Sequence, residues 1–357
     1  MSEIARTKTH PVMVGSVQVG GGAPVSVQSM CTTKTDDPDA TLHQIKKLAK
    51  AGCEIIRVAI PDVKALDGFE EICKYSPLPV VADIHFDYKL ALEAAKRGAA
   101  ALRINPGNIG SMERVDAVID AAKEAHIPIR IGVNAGSLAK EFDTRQDMTL
   151  VEKLVASSKS FVEHFSSRGF EDIVLSAKAH DVPTTLAAYR ALSKELPQIP
   201  LHVGVTEAGA LRQGTVKNSA AVGILLESGI GDTMRLSLTA DPVEEVHVAW
   251  ELLAALGMRR IKPELVSCPT CGRCGVDMIP IAEEVTKRLD GVRAPISVAV
   301  MGCVVNGPGE ARGVDLGVAC GKGQAVLFEN GNPIRKVPED KIVDELFAEI
   351  ENRFGKK

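Results

Sequence analysis

Four of the eight cysteines lie close together in the last quarter of the sequence. Cys268, Cys271 and Cys274 follow a C-x2-C-x2-C spacing, and Cys303 lies in the segment MGCVVNGPGE. Two thiols separated by two residues can bind one metal centre from a single turn. Because the first residues show no secretory signal, we expect a reducing compartment, where metal or redox chemistry is favoured over structural disulfides.

The spacing restricts the kind of metal centre. A bacterial ferredoxin run needs a fourth cysteine where this chain has Met278, and the trio typical of radical enzymes is absent. A zinc ribbon needs a second C-x2-C pair, so zinc stays possible but has less support. The remaining interpretation is an iron–sulfur cluster on Cys268, Cys271 and Cys303 with a fourth ligand that is not cysteine. Glu310 is the candidate, seven residues after Cys303 across a Gly-Pro-Gly turn.

A second set of polar residues follows or ends short apolar runs in the first 240 residues. These residues are the cations Arg57, Arg103, Arg130, Lys178 and Arg235, the neutral groups Asn105, Asn134, Thr206 and Ser237, and the acid–base candidates Asp83, His85 and Glu207. Five cations with only two carboxylates are costly to bury unless an anion compensates them. The set therefore predicts a polyanionic ligand, and a diphosphate fits best.

The elements that must position these residues alternate between β-branched runs and helical stretches. The runs span residues 25–31, 54–61, 79–86, 101–106, 128–134, 172–179, 200–206 and 233–239. Eight such units in about 230 residues predict an α/β fold with a (β/α)8 TIM barrel, whose sites lie at the carboxyl ends of its strands. An open doubly wound sheet is the alternative, but no Gly-x-Gly-x-x-Gly fingerprint follows the first strand.

The sequence changes character after Gly257. A strand leads into CPTCGRC, a helix and a further strand follow, and the Asn330-Gly331 turn predicts a hairpin before a final amphipathic helix. We therefore expect a barrel domain over 1–257 and a smaller α+β iron–sulfur domain over 258–357. Residues 12–19 alternate in polarity and predict a hairpin at the bottom of the barrel.

Composition excludes some classes of protein. The chain carries 42 basic and 46 acidic side chains, a net charge of −4, and its aromatic content is 4%. A nucleic acid as main partner is therefore disfavoured, because such proteins usually carry a basic excess and stacking platforms. No apolar run approaches the length of a membrane span, so we expect a cytoplasmic protein without membrane contact.

Four segments carry a resemblance to a known family, and it extends over essentially the whole chain. They are SCPTCGR at 267–273, MGCVVNGPGEA at 301–311, RINPGN at 103–108 and VTEAG at 205–209. With them the chain resembles the bacterial 4-hydroxy-3-methylbut-2-enyl diphosphate synthases of the methylerythritol phosphate route to isoprenoids. No large insertion separates barrel and cysteine region, so the two-domain form is implied.

The resemblance implies a [4Fe-4S] cluster on Cys268, Cys271, Cys303 and Glu310, with Cys274 outside the ligand set. It also implies an oxidoreductase that converts 2-C-methyl-D-erythritol 2,4-cyclodiphosphate to (E)-4-hydroxy-3-methylbut-2-enyl diphosphate with two electrons from flavodoxin or ferredoxin. The cations and neutral groups would bind the substrate. Glu207 is the first candidate for a proton donor, and His85 and Asp83 are the second candidates.

Topology predicts a homodimer. The last barrel helix runs antiparallel to the strands, so the cluster domain starts at the face opposite the site, and we expect it to cap the partner's barrel. Two alternatives stay open at this point. One is a zinc-dependent barrel lyase or hydrolase acting on a phosphorylated substrate, and the other is a cluster-bearing redox sensor without enzymatic activity.

Overall fold

Short parallel strands rich in valine, isoleucine and alanine form the centre of the amino-terminal part of the chain. The computed structural model describes residues 4–138, 140–292, 294–303, 309, 311 and 313–355. The central strands are β3 (Ser26–Met30), β4 (Ile55–Ala59), β5 (Val80–Ile84), β6 (Ala101–Ile104), β7 (Ile129–Asn134), β8 (Ile173–Lys178), β9 (His202–Val203) and β10 (Thr233–Met234). Their residues are almost all buried, as expected for strands covered on both faces.

These strands form one parallel sheet in the order β8-β7-β6-β5-β4-β3-β10-β9. The two ends of this order meet where Leu175 bridges Leu201 in parallel fashion. The amide of Leu175 donates to the Pro200 carbonyl at 2.9 Å across the same junction. The sheet is thereby closed, and the predicted (β/α)8 barrel is confirmed.

Helices follow the strands along the chain. They are α1 (Pro38–Ala51), α2 (Ala65–Tyr75), α3 (Tyr88–Lys96), α4 (Pro106–Ile109), α5 (Met112–Ala125), α6 (Lys140–Asp143), α7 (Leu150–Ser167), α8 (Val182–Glu195), α9 (Leu211–Glu227) and α10 (Pro242–Ala255). The Asp37 side chain caps α1 by accepting from the Ala40 amide, and Pro38 occupies the first turn. Thr149 and Glu152 form a capping box at the start of α7.

The predicted hairpin closes the bottom of the barrel. β1 (Val12–Val14) and β2 (Val17–Val19) pair antiparallel, with Val12 opposite Val19. The buried valines of this hairpin pack against Ile55, Val81, Ala101 and Val174 at the amino-terminal ends of the strands. The alternation of polar and apolar residues thus produces an apolar plug.

The second compact unit spans Arg260–Lys357, and the first spans Met1–Arg259. The second unit contains β11 (Glu264–Ser267), α11 (Met278–Leu289), β12 (Ser297–Met301), β13 (Leu316–Gly321), β14 (Gln324–Glu329), β15 (Asn332–Pro338), a 3-10 turn (Glu339–Lys341) and α12 (Ile342–Phe354). Its sheet has the order β11-β12-β13-β14-β15, parallel as far as β13 and antiparallel beyond. Helices α11 and α12 pack on this sheet around Val298, Val318 and Leu346. The α+β prediction is confirmed.

Among the described residues, no helix combines the length and the apolar character needed to cross a lipid bilayer.

Candidate active site

The register of the barrel strands brings several predicted residues together on its inner face. Asp83 on β5 lies opposite Arg103 on β6, which lies opposite Arg130 on β7. Paired residues of neighbouring strands point to the same face, and residues two positions apart do too. The inner positions that would hold valine or leucine in many barrels therefore carry charged groups here.

Asp83 is the carboxylate at the centre of this cluster. It is buried and contacts the Arg103 guanidinium at 3.2 Å, Arg57 at 3.7 Å and His85 Nε2 at 3.2 Å. Burial alone would raise the pKa of the Asp83 carboxyl, but Arg57, the hydrogen bond with His85 and Arg103 hold it well below its usual range. Asp83 is therefore a permanent anion that fixes two arginines.

Arg130 and Lys178 are buried without an ion pair to any described residue. Arg130 donates to the neutral amide of Gln28 at 2.6 Å. Burial, followed by the surrounding cations, lowers the pKa of Arg130 and of Lys178 well below the usual values. Burial also lowers the pKa of Arg57, to about 10. Among the described residues, positive charge is thus concentrated in the interior without full compensation.

Arg235 has a carboxylate partner that sequence analysis missed. Glu245 on α10 accepts from the Arg235 guanidinium in bidentate fashion, at 3.1 and 3.0 Å. The same carboxylate accepts from the Ser29 hydroxyl at 3.0 Å and the Leu238 amide at 3.1 Å. Four donors converge on one buried side chain, so Glu245 fixes Arg235 rather than entering the site as an acid.

Two glycines and a methionine shape the space around these cations. A Cβ on Gly132 would lie 2.5 Å from the Arg103 Nε, and one on Gly204 would lie 2.8 Å from the Lys178 Nζ. Met30 Sδ lies 3.1 Å from the Arg57 Nε. Sequence analysis overlooked all three, although Gly132 interrupts the apolar strand β7, which often marks a close approach, and Gly204 directly follows β9.

The neutral candidates differ in their contacts. Asn105 is buried, and its amide donates to the carbonyl and hydroxyl of Ser137 at 2.7 and 2.8 Å while its oxygen accepts from Gly107. Asn105 therefore orders the loop after β7. Asn134 lies opposite Lys178 in the register. Thr206 and Ser237 are half-buried at the carboxyl ends beyond β9 and β10.

The acid–base candidates lie at the same end of the barrel. His85 is about half-exposed, at 48%, and touches Asp83. Glu207 is exposed and has a φ of 54°, in the left-handed region that residues other than glycine rarely adopt. Strained backbone of this kind concentrates at functional sites, because the surrounding structure must hold it. Two other described non-glycine residues have a positive φ, His126 at the end of α5 and Asn330 in a hairpin turn, so Glu207 is the one of the three that lies at this end of the barrel.

The cysteines of the second unit follow the ends of two neighbouring parallel strands. Cys268 comes directly after β11, and Cys303 lies two residues beyond β12. These strands pair with Ser267 opposite Val300, so both thiols belong to one edge of the sheet. Cys271 is exposed in the turn that follows Cys268.

The surroundings of these thiols suit metal–sulfur chemistry. The Gly302 amide donates to Cys268 Sγ at 3.1 Å, and a Cβ on Gly302 would lie 2.7 Å from Cys274 Sγ and 3.2 Å from Cys268 Sγ. Backbone and side-chain hydrogen bonds with Arg273 lower the pKa of Cys271, which favours the thiolate that binds metals. Burial raises the pKa of Cys268, and the Gly302 amide opposes that shift.

The ligand set is incomplete in the described part of the chain. Glu310 lies outside the described residues, so its predicted role as fourth ligand stays a prediction. Among the residues that are described, no three histidine, cysteine or acidic side chains already form a group that could hold a metal ion. The donor chemistry of Cys268, Cys271 and Cys303 nevertheless fits an iron–sulfur cluster.

Comparison with known proteins covers both units. The GcpE TIM-barrel domain matches residues 9–250, and the GcpE protein C-terminal domain matches residues 264–352. A relative from Geobacter sulfurreducens is 53% identical over 99% of this chain and 99% of its own length. Relatives from Clostridium acetobutylicum (54%; 97% and 99%) and Bacillus subtilis (51%; 98% and 93%) match similarly. All three are named 4-hydroxy-3-methylbut-2-en-1-yl diphosphate synthase (flavodoxin).

Solved structures resemble the fold alone. The Bacillus subtilis spore coat polysaccharide biosynthesis protein spsE has a TM-score of 0.50 at 13% identity, covering 70% of this chain and 73% of its own. Yersinia pestis dihydropteroate synthase has a TM-score of 0.48 at 13% identity, covering 69% and 97%. By contrast, the two family matches together span most of the sequence, and the full-length relatives are more than half identical. This chain therefore belongs to the GcpE family.

Proposed function

We propose that this protein catalyses the reductive opening and dehydration of 2-C-methyl-D-erythritol 2,4-cyclodiphosphate to (E)-4-hydroxy-3-methylbut-2-enyl diphosphate. The reaction consumes two electrons and two protons and releases one water molecule. In the substrate, the ring C–O bond to phosphate breaks, and the oxygen on the neighbouring carbon leaves as water. The names of the full-length relatives support this oxidoreductase function, and they do not support the zinc-dependent alternative.

The observation that carries the proposal is the uncompensated positive charge inside the barrel. Among the described residues, Arg130 and Lys178 have no carboxylate partner, whereas the neighbouring Arg57 and Arg103 share the single carboxylate of Asp83. A diphosphate supplies the missing negative charge and accepts several hydrogen bonds from guanidinium groups at once. A bound diphosphate should also raise the pKa of Lys178 again, because it supplies negative charge beside the buried ammonium group. A redox sensor would have no need of such a cavity.

Glu207 is the proposed proton donor. Its exposed carboxyl and left-handed backbone, at the carboxyl end of the strands, support a role in delivering a proton to the departing oxygen. We expect Glu207→Gln to keep substrate affinity but to lower kcat by about 10²-fold or more, in line with loss of a general acid. Steady-state kinetics on enzyme with verified metal content would check this, and near-normal turnover would reject Glu207 as the donor.

The second unit is proposed to hold a [4Fe-4S] cluster on Cys268, Cys271, Cys303 and Glu310. The closeness of Gly302 to Cys268 Sγ supports this assignment, since amide hydrogen bonds to sulfur stabilise thiolate ligands and tune a cluster's potential. When bound, the cluster would supply electrons one at a time to the substrate. Flavodoxin is the proposed electron donor, as the names of the relatives indicate for those proteins; ferredoxin is the alternative.

The site is proposed to be completed by a second copy of the chain. Arg259 donates to the Val25 carbonyl and pairs with Glu54 at 2.7 Å, at the amino-terminal ends of β3 and β4. The chain thus leaves the barrel at the end opposite the site. At the open end, Val63 and Phe86 are 69% and 72% exposed. A homodimer in which the cluster unit of one copy caps the barrel of the other would cover these apolar groups.

The function is tested by metal analysis followed by turnover. Anaerobically purified protein should contain about four iron and four sulfide per chain without zinc, as a [4Fe-4S] assignment requires. With a chemical reductant it should convert the cyclodiphosphate to the allylic diphosphate. Stoichiometric zinc without sulfide, or a loaded cluster without turnover, would contradict the proposal.

A further inference from the structure

A small cavity lies beneath the cation cluster, between Arg130 and the amino-terminal hairpin. Its walls are the valines of the hairpin, the apolar starts of the strands, and four polar residues. The polar residues are Gln28, Arg130, His202 and Thr233. All the lining residues are buried. The cavity has a volume of about 20 Å³, more than the roughly 10–15 Å³ that one water molecule needs.

Polar atoms around this cavity have no hydrogen-bond partner among the described residues. They include both ring nitrogens of His202, which is fully buried, and the Nε of Arg130. Buried imidazole and guanidinium groups are almost always hydrogen-bonded in folded proteins. A polar cavity with room for one water and with unpaired groups in its wall is the kind of place where ordered water is found.

We propose that this cavity holds one ordered water molecule bridging His202 and Arg130, and that His202 is thereby a positioning residue for the anion-binding guanidinium of Arg130. This inference rests on the proposed function, because it assigns His202 to the support of the diphosphate site. The water would accept from the Arg130 Nε–H and donate to one ring nitrogen of His202. His202 does not touch the substrate.

The uncharged ring of His202 leaves the positive charge of Arg130 available to the diphosphate. A carboxylate at this position would pair with Arg130, as Asp83 pairs with Arg103, and would cancel the charge that the diphosphate needs. Burial and the neighbouring cations Arg130 and Lys178 lower the pKa of His202 well below its usual value, so the ring stays uncharged. Gln28, which accepts a hydrogen bond directly from Arg130, is neutral as well. Gln28, His202 and the bridging water therefore satisfy the hydrogen bonds of Arg130 without neutralising its charge.

The first test is crystallographic and uses the unaltered holoenzyme. A high-resolution structure should show one water within hydrogen-bond distance of His202 and the Arg130 Nε. An empty cavity, or a chloride ion in place of water, would overturn the proposal, since a chloride would neutralise Arg130. This measurement depends neither on catalysis nor on any variant being folded.

The second test measures binding of inorganic pyrophosphate to holoenzyme variants by calorimetry. We expect His202→Phe to weaken binding about five- to tenfold, the effect of losing one water-mediated hydrogen bond to a charged group. His202→Gln should restore most of the affinity, because it keeps one donor and one acceptor. Equal losses in both variants, or no loss in His202→Phe, would overturn the positioning role.

A matched control separates positioning from general stability. Tyr189 donates to the backbone carbonyl of His202 at 2.6 Å, so it supports the same strand without lining the cavity. Tyr189→Phe should lower thermal stability but leave pyrophosphate affinity unchanged, and a loss like that of His202→Phe would count against the proposal. If the unaltered protein itself fails to bind pyrophosphate, the diphosphate site fails, and the error then lies in the proposed function.

Discussion

The buried cations of the barrel differ in how their charge is compensated. Arg103 and Arg57 both form ion pairs with Asp83, and Arg235 forms an ion pair with Glu245. Within the described part of the chain, Arg130 hydrogen-bonds to the neutral amide of Gln28, and neither Arg130 nor Lys178 forms an ion pair. The permanently paired cations are held in place before substrate arrives, whereas the other two have the most to gain from an anion. Diphosphate binding should therefore stabilise the charged forms of Arg130 and Lys178 more than those of the paired cations.

Lys178 predicts a pH dependence of binding. Burial, followed by Arg130 and the other cations, lowers its pKa in the free protein, and a bound diphosphate raises it again. At a pH between those two values, binding takes up a proton, so affinity should fall as the pH rises through this window. Calorimetry with inorganic pyrophosphate in buffers of different ionisation enthalpy would measure the uptake. Lys178→Met should remove the share of the uptake that Lys178 contributes, leaving the protons exchanged by pyrophosphate itself, and identical uptake in that variant would rule out Lys178 as a source.

Gly132 predicts a large effect from one added methyl group. Its Cβ would fall 2.5 Å from the Arg103 Nε and must displace the guanidinium. We expect Gly132→Ala to reduce kcat/KM on the order of 10²-fold, because charge-assisted contacts depend on geometry. The control is Gly223→Ala in α9, where the new Cβ makes an ordinary 3.4 Å contact with Leu252. Comparable activity losses in the two variants would contradict this explanation.

At the scale of elements, near-continuous apolar strands that alternate with helical stretches made the barrel predictable. The polar residues at the strand ends were found because they stand out against valine and isoleucine. Glu245 was missed because a glutamate near the start of a helix is usually a solvated group that interacts favourably with the helix dipole. His202 was missed because it lies in a two-residue strand with little pattern. Which side chains meet depends on register, which a single sequence does not specify.

Glu245 makes α10 part of the site, although the helix lies outside the strands. Glu245→Ala leaves Arg235 half of a broken ion pair, so we expect the free energy of unfolding to fall by ~3 kcal/mol. Urea denaturation would measure this. The neighbouring Glu244 is 42% exposed and only approaches His247. Glu244→Ala should change stability by less than ~0.5 kcal/mol. Equal effects of the two substitutions would mean that the Arg235 contact contributes nothing.

At the scale of the whole molecule, two chemistries lie on two compact units. The five predicted substrate-binding cations belong to residues 1–259, and the three candidate ligands Cys268, Cys271 and Cys303 belong to residues 260–357. A variant in either unit should therefore lose activity by itself. In the proposed homodimer, a variant in one unit should complement a variant in the other. The arrangement also explains why loop cysteines and strand-end arginines could each be found in the sequence, while their relation to one another could not.

Mixing two inactive variants tests the homodimer. Arg103→Ala disables a barrel and Cys271→Ala disables a cluster site. If each cluster unit serves the partner's barrel, random exchange makes half of the dimers mixed, each with one intact site, so about a quarter of full activity should return. Mixing Arg103→Ala with Arg130→Ala is the control, because both changes lie in the barrel and no intact site can form. Absence of recovery in the first mixture, after exchange is verified with labelled chains, would reject the model.

The valine plug closes the bottom of the barrel, so the interior is accessible from one end. Val12, Val14 and Val19 fill the end from which the strands start, so an anionic molecule enters only where the strands finish. Substrate and product both carry a diphosphate and must pass through that same opening, one after the other. Release of product is thus a precondition for the next turnover, and the product competes with its own precursor for the cations below.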